Sequence, residues 1–309
     1  MPNPANSLTI LITGTSVGGL GSSLALAFHA RGHRVFAAAR NPSKVTHLTA
    51  LGITHIPLDV LSSTSIAAAV TQVSALTGGT LDMLINNAGG GYSIPLLDAD
   101  LQKGREFFDL NVWSVLAVTQ TFAPLLLKSA SERGEAAVVN QTSIAAVTSV
   151  PIQGLYNASK AALAMISDTL RLELEPFGIR VVDLRTGSVK TPFYDNQIGG
   201  GGPKLPEESI YQIARERVEE AMSGTGPMEE AVDAKTWAEG VVADLLDKGW
   251  FFGRPNRIWR GGNALVVRAV TQWVPVAWTD AWLRRLLAKM MGMDVVKRNW
   301  ESGRKGVGK

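Results

Sequence analysis

No cysteine occurs among the 309 residues. That absence excludes disulfides, thiolate catalysis and cysteine-based metal sites, and it fits a reducing compartment. No metal site is expected. The opening MPNPANSLTILITG has no basic stretch ahead of a long apolar run and no small-residue cleavage site after one, so it does not read as a signal peptide. No uncharged apolar run reaches the ~18 residues of a membrane-spanning helix. No internal repeat or linker interrupts residues 1–262. Charge of one sign is also lacking: the formal net charge is +3, which gives no reason to expect a nucleic-acid partner. Much of the small excess lies late, at Arg284, Arg285, Lys289, Lys297, Arg298, Arg304, Lys305 and Lys309. A basic tail of this kind favours an anionic surface or is simply solvated.

What is present is ample apolar material, 46% of residues, arranged as alternating strand and helix patterns. LTILIT at 8–13 reads as a first strand, and a turn from Thr13 to Gly21 follows it. The next segment, SSLALAFHARGH, carries Leu24, Ala27 and Phe28 at helical spacing. A strand, a glycine-rich turn and a helix in this order make a phosphate cradle. Glycines let the backbone approach a pyrophosphate, and the helix N-terminus favours its charge. The second strand, Arg34–Ala39, ends in Arg40. An NAD site usually has Asp or Glu near this point for the ribose 2′-hydroxyl. No acid stands here, and a basic residue suits a 2′-phosphate, so NADPH (or NADP) is the expected cofactor. Arg40 carries that inference, with Lys44 and Ser16 as weaker contacts; the bland alternative is an exposed arginine in a turn.

A third strand at 53–58 leads to Asp59, placed either to accept from an adenine amino group or, like Ser62, to cap the next helix. The fourth, at 81–85, runs into Asn86-Asn87-Ala88-Gly89, where small residues allow close packing on a ribose and asparagines can tie strands together. A helical stretch over 98–128 contains Asn111, a poor helix former that is either satisfied structurally or holds an ordered water. A fifth strand at 136–141 leads to Ser143, a sixth at 179–184 to Thr186-Gly187, and a last strand is expected at 256–259.

Tyr156 and Lys160 stand four apart in an Ala-rich helical run, so they share a face. A free phenol titrates near ~10. A neighbouring positive charge lowers that value and brings the phenol closer to efficient acid–base work. Ser143 can donate to a carbonyl oxygen beside the tyrosine. The bland alternative is a half-buried aromatic and a solvated lysine.

The pieces TGTSVGGLG at 13–21, LDV at 58–60, NNAG at 86–89, Asn111, Ser143 and YNASK at 156–160 occur in one order and spacing. In that combination the chain resembles the short-chain dehydrogenase/reductase family over residues 8–260. The extra glycine in the loop and the VFAAAR that follows are similar to the fungal NADPH-dependent 1-acyldihydroxyacetone-phosphate reductase-like subgroup, as is the Trp- and Leu-rich C-terminal segment. The resemblance implies an α/β fold: a single Rossmann-type doubly wound domain, with a parallel sheet of about seven strands and a C-terminal helical extension. It divides the chain into a 1–262 domain, including a substrate lid at 193–228, and a 263–309 extension. It implies Tyr156 as proton donor in reduction, Lys160 as the group that lowers its pKa and binds the nicotinamide ribose, Ser143 as polariser of the carbonyl, and Asn111 as holder of a water. For the cofactor it implies Gly14, Ser16, Gly18, Gly19, Leu20, Gly21, Arg40, Asp59, Val60, Asn87, Ala88 and Gly89. Asn111, Tyr156, Lys160, Gly187, Val189 and Thr191 complete that set. One departure is Thr186, where the family usually has Pro. Threonine restores an N–H and adds a hydroxyl that can reach the carboxamide or the substrate.

Ser143, Ile144, Ala145, Gln153, Tyr156, Phe193 and Tyr194, with Val189, are expected to wall the substrate pocket. That lining is mainly apolar and favours a lipid-like or polycyclic ketone, although Lys190 and Lys204 could receive a phosphate. Residues 264–295 are aromatic, apolar and basic. Three roles fit them: lying in a lipid interface, roofing the pocket or packing on another subunit. The family is often dimeric or tetrameric through helices near 107–128 and 156–175, so a homodimer or homotetramer is expected, with Trp113 suiting either interface or core. A cytoplasmic location is expected, with peripheral contact to endoplasmic reticulum or lipid droplets through 264–295. Three alternatives stand beside a reductase: an alcohol dehydrogenase working oxidatively, an epimerase or cyclase on the same scaffold, and a non-catalytic NADPH-binding protein.

Overall fold

The computed structural model describes residues 7–193, 204–224, 230–247, 254–275 and 293–306, together with 277–278, 281, 284–285 and 288. In chain order the elements are β1 Thr9–Thr13, α1 Leu20–Ala30, β2 Arg34–Ala39, a single turn α2 Thr46–Thr49, β3 Thr54–Pro57, α3 Ser63–Thr77 and β4 Met83–Asn86. Then come α4 Leu101–Phe108, a π-helical turn Asp109–Trp113, α5 Ser114–Arg133, β5 Ala136–Ser143, α6 Gly154–Leu174 and β6 Ile179–Thr186. Beyond these lie α7 Arg215–Met222, α8 Ala234–Leu246, β7 Arg257–Arg260, α9 Ala264–Trp273 and a last helix, α10, Met293–Gly306.

The strands form one seven-stranded sheet in the order β3-β2-β1-β4-β5-β6-β7, and every neighbouring pair is parallel. Central strands are buried on both faces, which is why LTILIT and AAVVNQT read as continuous rather than alternating apolar runs. On one face Leu24 and Phe28 of α1 pack with Trp237, Val241 and Leu245 of α8 against Ile10, Ile12 and Val139. On the other, Ile66 and Val73 of α3 and Val118 and Phe122 of α5 pack against Leu11, Leu84 and Val138. Neighbours β1 and β4 are not consecutive in the chain, so the crossovers part between them and open a crevice at their carboxyl ends.

The expected helix over 98–128 is instead two α-helices joined by the π-turn that holds Asn111. This 101–133 stretch is also long and apolar enough to cross a bilayer, contrary to expectation, but half of its most apolar window is buried in the protein. Trp113 on the turn is 56% exposed, so it is not a core residue. Buried Asp82 accepts the backbone N–H and the hydroxyl of Thr9 and the hydroxyl of Ser129, stitching β1, β4 and α5 together at the far end of the sheet. Its charge meets Arg133 at 3.4 Å.

Part of the lid lies in the described residues. Leu205, Ala214, Val218 and Met222 form a small core with Ile152, a β-branched residue held at φ +69° in the loop before α6. Met293, Val295 and Val296 of α10 pack on the same cluster, and Asn299 Nδ2 donates to the Ile213 carbonyl at 2.7 Å. The C-terminal helix therefore sits against the lid. In α9, Leu265, Val266 and Trp273 face outward.

The glycine turn shows what holds the crevice open. A Cβ at Gly21 would stand 2.5 Å from both Asn87 Nδ2 and the Gly14 carbonyl oxygen. Gly21→Ala is expected to cost about 1–3 kcal/mol of stability, read as a lower urea midpoint with unchanged slope; an unchanged midpoint would refute this packing role.

Candidate active site

The carboxyl ends of β1, β2, β4, β5 and β6 border a single cleft of 1110 Å³. At one end lie Gly14, Ser16, Gly19 and Leu20 from the turn, with Arg40, Asp59 and Val60. Asn87, Ala88 and Gly89 follow from the end of β4. At the other end are Ser143, Ile144, Ala145, Gln153, Tyr156 and Lys160, with Gly187, Val189, Thr191 and Phe193 opposite. Three expected site residues do not line it: Gly18, Gly21 and Asn111. Tyr194 lies outside the described residues, as do 194–203 and 225–228 of the expected lid.

Each side chain is held by local chemistry. Gly14, at φ +70°, takes a conformation other residues resist, and a Cβ there would lie 2.8 Å from Ala88 Cα. Gly18, at φ +76°, stands against the ring of Pro192, and a Cβ there would lie a tight 3.3 Å from its Cγ. Asn87 is the tie between the two sides of the crevice. Its Nδ2 donates to the Thr13 and Gly14 carbonyls at 2.9 and 3.0 Å, while the N–H groups of Asn87 and Ala88 both donate to Thr13 Oγ1. Ser62 caps α3 by accepting the Ser65 N–H. Among the described residues the Asp59 carboxylate accepts from the Leu61 N–H, and Asp59 lines the cleft. Arg40 is exposed at the end of β2. Lys44 does not line the cleft; its carbonyl accepts the Val17 N–H and braces the turn.

Ser143 is the last residue of β5, two beyond the expected end, because Thr142 and Ser143 pair with Arg185 and Thr186 of β6. Its Oγ accepts the Ala145 N–H at 3.1 Å, so its own hydrogen remains for donation. Tyr156 is half-buried, with its ring edge-on to Phe193 at 5.6 Å and tilted against Phe107 at 6.4 Å. Lys160 is buried, with its Nζ 5.8 Å from the centre of the Tyr156 ring. Nζ donates to the Gln141 carbonyl at 2.8 Å. Burial pulls its ammonium down from 10.5 to about 8, and the negative charge of Asp183 acts in the opposite direction. Asp183 itself accepts from the Thr142 hydroxyl and from Arg185 Nε.

Asn111 lies behind the wall of the cleft. Its Nδ2 donates to the Gly90 carbonyl and to Ser159 Oγ, both at 3.2 Å, and its Oδ1 accepts the Gly90 N–H at 3.0 Å. Of the two expected roles for its side chain, the structural one is filled. Sequence reasoning missed Gln141, Val150 and Ser188, which also line the cleft. Gln141 gave only a weak signal: it is one long polar side chain in the buried run Asn140-Gln141-Thr142-Ser143 that ends β5.

A doubly wound parallel sheet with a phosphate cradle at its switch point and a tyrosine–lysine–serine group in the same cleft defines a dinucleotide-dependent oxidoreductase. The family model described as short chain dehydrogenase matches residues 8–198. A short-chain dehydrogenase/reductase of Pestalotiopsis microspora is 43% identical over 290 residues, covering 94% of this chain and 96% of that protein. The NADPH-dependent 1-acyldihydroxyacetone phosphate reductase of Schizosaccharomyces pombe is 34% identical over 259 residues, covering 82% and 85%. Among solved structures, a short-chain dehydrogenase of Streptomyces avermitilis superposes with a TM-score of 0.73 at 26% identity, covering 92% and 97%. The chain belongs to the short-chain dehydrogenase/reductase family.

Proposed function

We propose that this enzyme reduces a ketone on an apolar small molecule, lipid-like or polycyclic, to an alcohol at the expense of NADPH. The observation that carries the reading is the single cleft with Ser143, Tyr156 and Lys160 at one end and Arg40 at the other. The residues fit the cofactor. The cleft exceeds the ~300–1,000 Å³ of ordinary small-molecule pockets. At its phosphate end Gly14, Ser16, Gly19 and Leu20 line the cleft, and the absence of a Cβ on Gly14 lets the turn pack against Ala88 and Asn87.

When bound, NADPH supplies the electron pair that reduces the carbonyl carbon. The protein's part is position and proton supply. Ser143 donates its hydroxyl hydrogen to the carbonyl oxygen and polarises it. Tyr156 delivers the proton to that oxygen, and the charge of Lys160 favours the phenolate left behind. The proton that Tyr156 gives up is replaced from solvent before the next turnover. Gly14, Ser16, Gly19 and Leu20 would hold the pyrophosphate, Asp59 and Val60 the adenine side, and Gly187, Val189 and Thr191 the nicotinamide side.

The apolar substrate class is supported by Ile144, Ala145, Val150 and Phe193 around the tyrosine. The yeast relative's name pairs an acyl group with a phosphate. Lys190 and Lys204 are exposed and do not line the cleft, which favours an uncharged ketone. The fungal relatives include the ptmH and cctT dehydrogenases, and a tailoring step in secondary metabolism fits them. Loss of NADPH absorbance with a panel of apolar ketones tests the reaction; a product formed without NADPH consumption would replace it by epimerisation or cyclisation. Arg40→Ala is expected to weaken NADPH by about 10-fold or more while leaving NADH nearly unchanged, since a charged hydrogen bond is worth ~1.5–3 kcal/mol. Equal losses for both cofactors in titration would remove Arg40 from the 2′-phosphate.

A further inference from the structure

Gln141 and Thr186 meet in the floor of the cleft. They are 7% and 6% exposed, and both line it. Alternation along β5 puts Gln141 on the same face as Ser143, and the sheet register sets Ser143 beside Thr186. Gln141 Nε2 donates to Thr186 Oγ1 at 2.6 Å and to the Thr142 carbonyl at 3.3 Å. The reverse amide orientation would set two acceptors against each other at Thr142, which favours Gln141 as the donor to Thr186. A threonine hydroxyl has one hydrogen. Accepting from Gln141 leaves that hydrogen to be donated elsewhere. The backbone offers Thr186 little freedom: the Gly187 N–H donates to the Arg260 carbonyl at 2.8 Å, and a Cβ on Gly187 would collide with the Gly262 carbonyl.

The arrangement has a cost. Gln141 Oε1 is buried with no hydrogen-bond partner. Native folds rarely leave such an atom, and leucine or valine would pack here without it. A polar pair kept under this penalty, at the point where the family usually has a proline that can neither accept nor donate through its side chain, points to a ligand-directed hydroxyl. Gly187, Val189 and Thr191, assigned above to the nicotinamide side, follow Thr186 directly.

We propose that Thr186, held by Gln141, donates its hydroxyl hydrogen to the carbonyl oxygen of the nicotinamide carboxamide. Thr186 is then a cofactor contact, and Gln141 is a positioning residue that acts through it. The proposal rests on the NADPH reading above. Isothermal titration with NADP, its thionicotinamide analogue and 2′-phospho-ADP-ribose, which lacks the nicotinamide, separates the two. Thr186→Val should weaken NADP by about fivefold, one neutral hydrogen bond, and leave 2′-phospho-ADP-ribose unchanged. Thr186→Ser should restore NADP binding. The thio analogue, whose sulfur accepts poorly, should bind wild type and Thr186→Val alike. Gln141→Met should show a loss of the same order, and the double variant should lose no more than Thr186→Val. Unchanged NADP affinity in Thr186→Val, or a change confined to substrate KM, would overturn the carboxamide contact. Equal losses for 2′-phospho-ADP-ribose would overturn it in favour of a general distortion. Additive losses in the double variant would remove Gln141 from its role. Wild type that binds neither NADP nor 2′-phospho-ADP-ribose would overturn the cofactor reading itself.

Discussion

Tyr156→Phe should lower kcat/KM for a ketone substrate by about 10²–10⁴-fold, the usual contribution of a positioned general acid, with NADPH binding nearly intact. The ring is held by Phe107 and Phe193, so phenylalanine should keep the same place and remove only the hydroxyl. Ser143 would still polarise the carbonyl, and the reductant would still be in position, which is why the expected loss is large but finite. Stopped-flow reduction at saturating NADPH measures it. Activity within a factor of a few of wild type would take the proton-donor role away from Tyr156 and reopen the reading of a half-buried helix aromatic.

Lys160→Met should produce an effect of comparable size on turnover, because the phenolate formed after proton delivery loses its positive neighbour. It should also change stability in a way Tyr156→Phe does not. In the folded protein the Lys160 ammonium titrates at about 8, against 10.5 for the free side chain, because burial disfavours its charge. Below pH 8 both folded and unfolded chains hold the proton, and the penalty of the buried charge is fully present. Between 8 and 10.5 the unfolded chain still holds a proton that the folded one has released, so the unfolded state binds more protons and stability rises with pH. Above 10.5 both are neutral and the penalty is gone. The full rise is about 3 kcal/mol. Arg180, lowered to about 10 chiefly by burial, adds a rise of the same sign at the alkaline edge. Urea unfolding of wild type and Lys160→Met between pH 7 and 10 isolates the lysine term as the difference between two curves. Curves that run parallel would show that Lys160 carries no such penalty.

The strands were legible because a parallel sheet buried on both faces demands uninterrupted apolar runs, and β2 and the starts of β5 and β6 fall where those runs fall. The ends were less legible. Thr142 and Ser143 are polar and look like loop, yet cross-strand pairing with Arg185 and Thr186 keeps them in the sheet. That extension fixes Ser143 by backbone geometry rather than by a flexible turn. The tyrosine, lysine and serine were legible as a spacing. The burial of Lys160 and the counter-charge of Asp183 were not, because they depend on which strand lies under α6. The break at Asp109–Trp113 was announced only by Asn111 itself, a poor helix former whose amide has partners on Gly90 and Ser159, far off in the chain. Gln141 looked like one more strand residue until its partner, Thr186, was brought beside it across β6. The lid was legible as a weak, glycine-rich pattern. Its seat on Ile152, and the packing of α10 against the same cluster, have no local signature.

The hydrogen bonds from Asn87 to Thr13 and Gly14 have a consequence in time. The groups they join are 74 and 73 residues apart in the chain. As the polypeptide leaves the ribosome, β1, β2 and β3 can pair among themselves, but the opposite edge of β1 stays bare until β4 emerges. Such long-range closure is slow, because chain entropy must be lost before any contact offsets it. The phosphate cradle, which looks like the most local of motifs, is therefore among the later parts of the N-terminal half to take shape. It cannot be complete before residue 87 has been made.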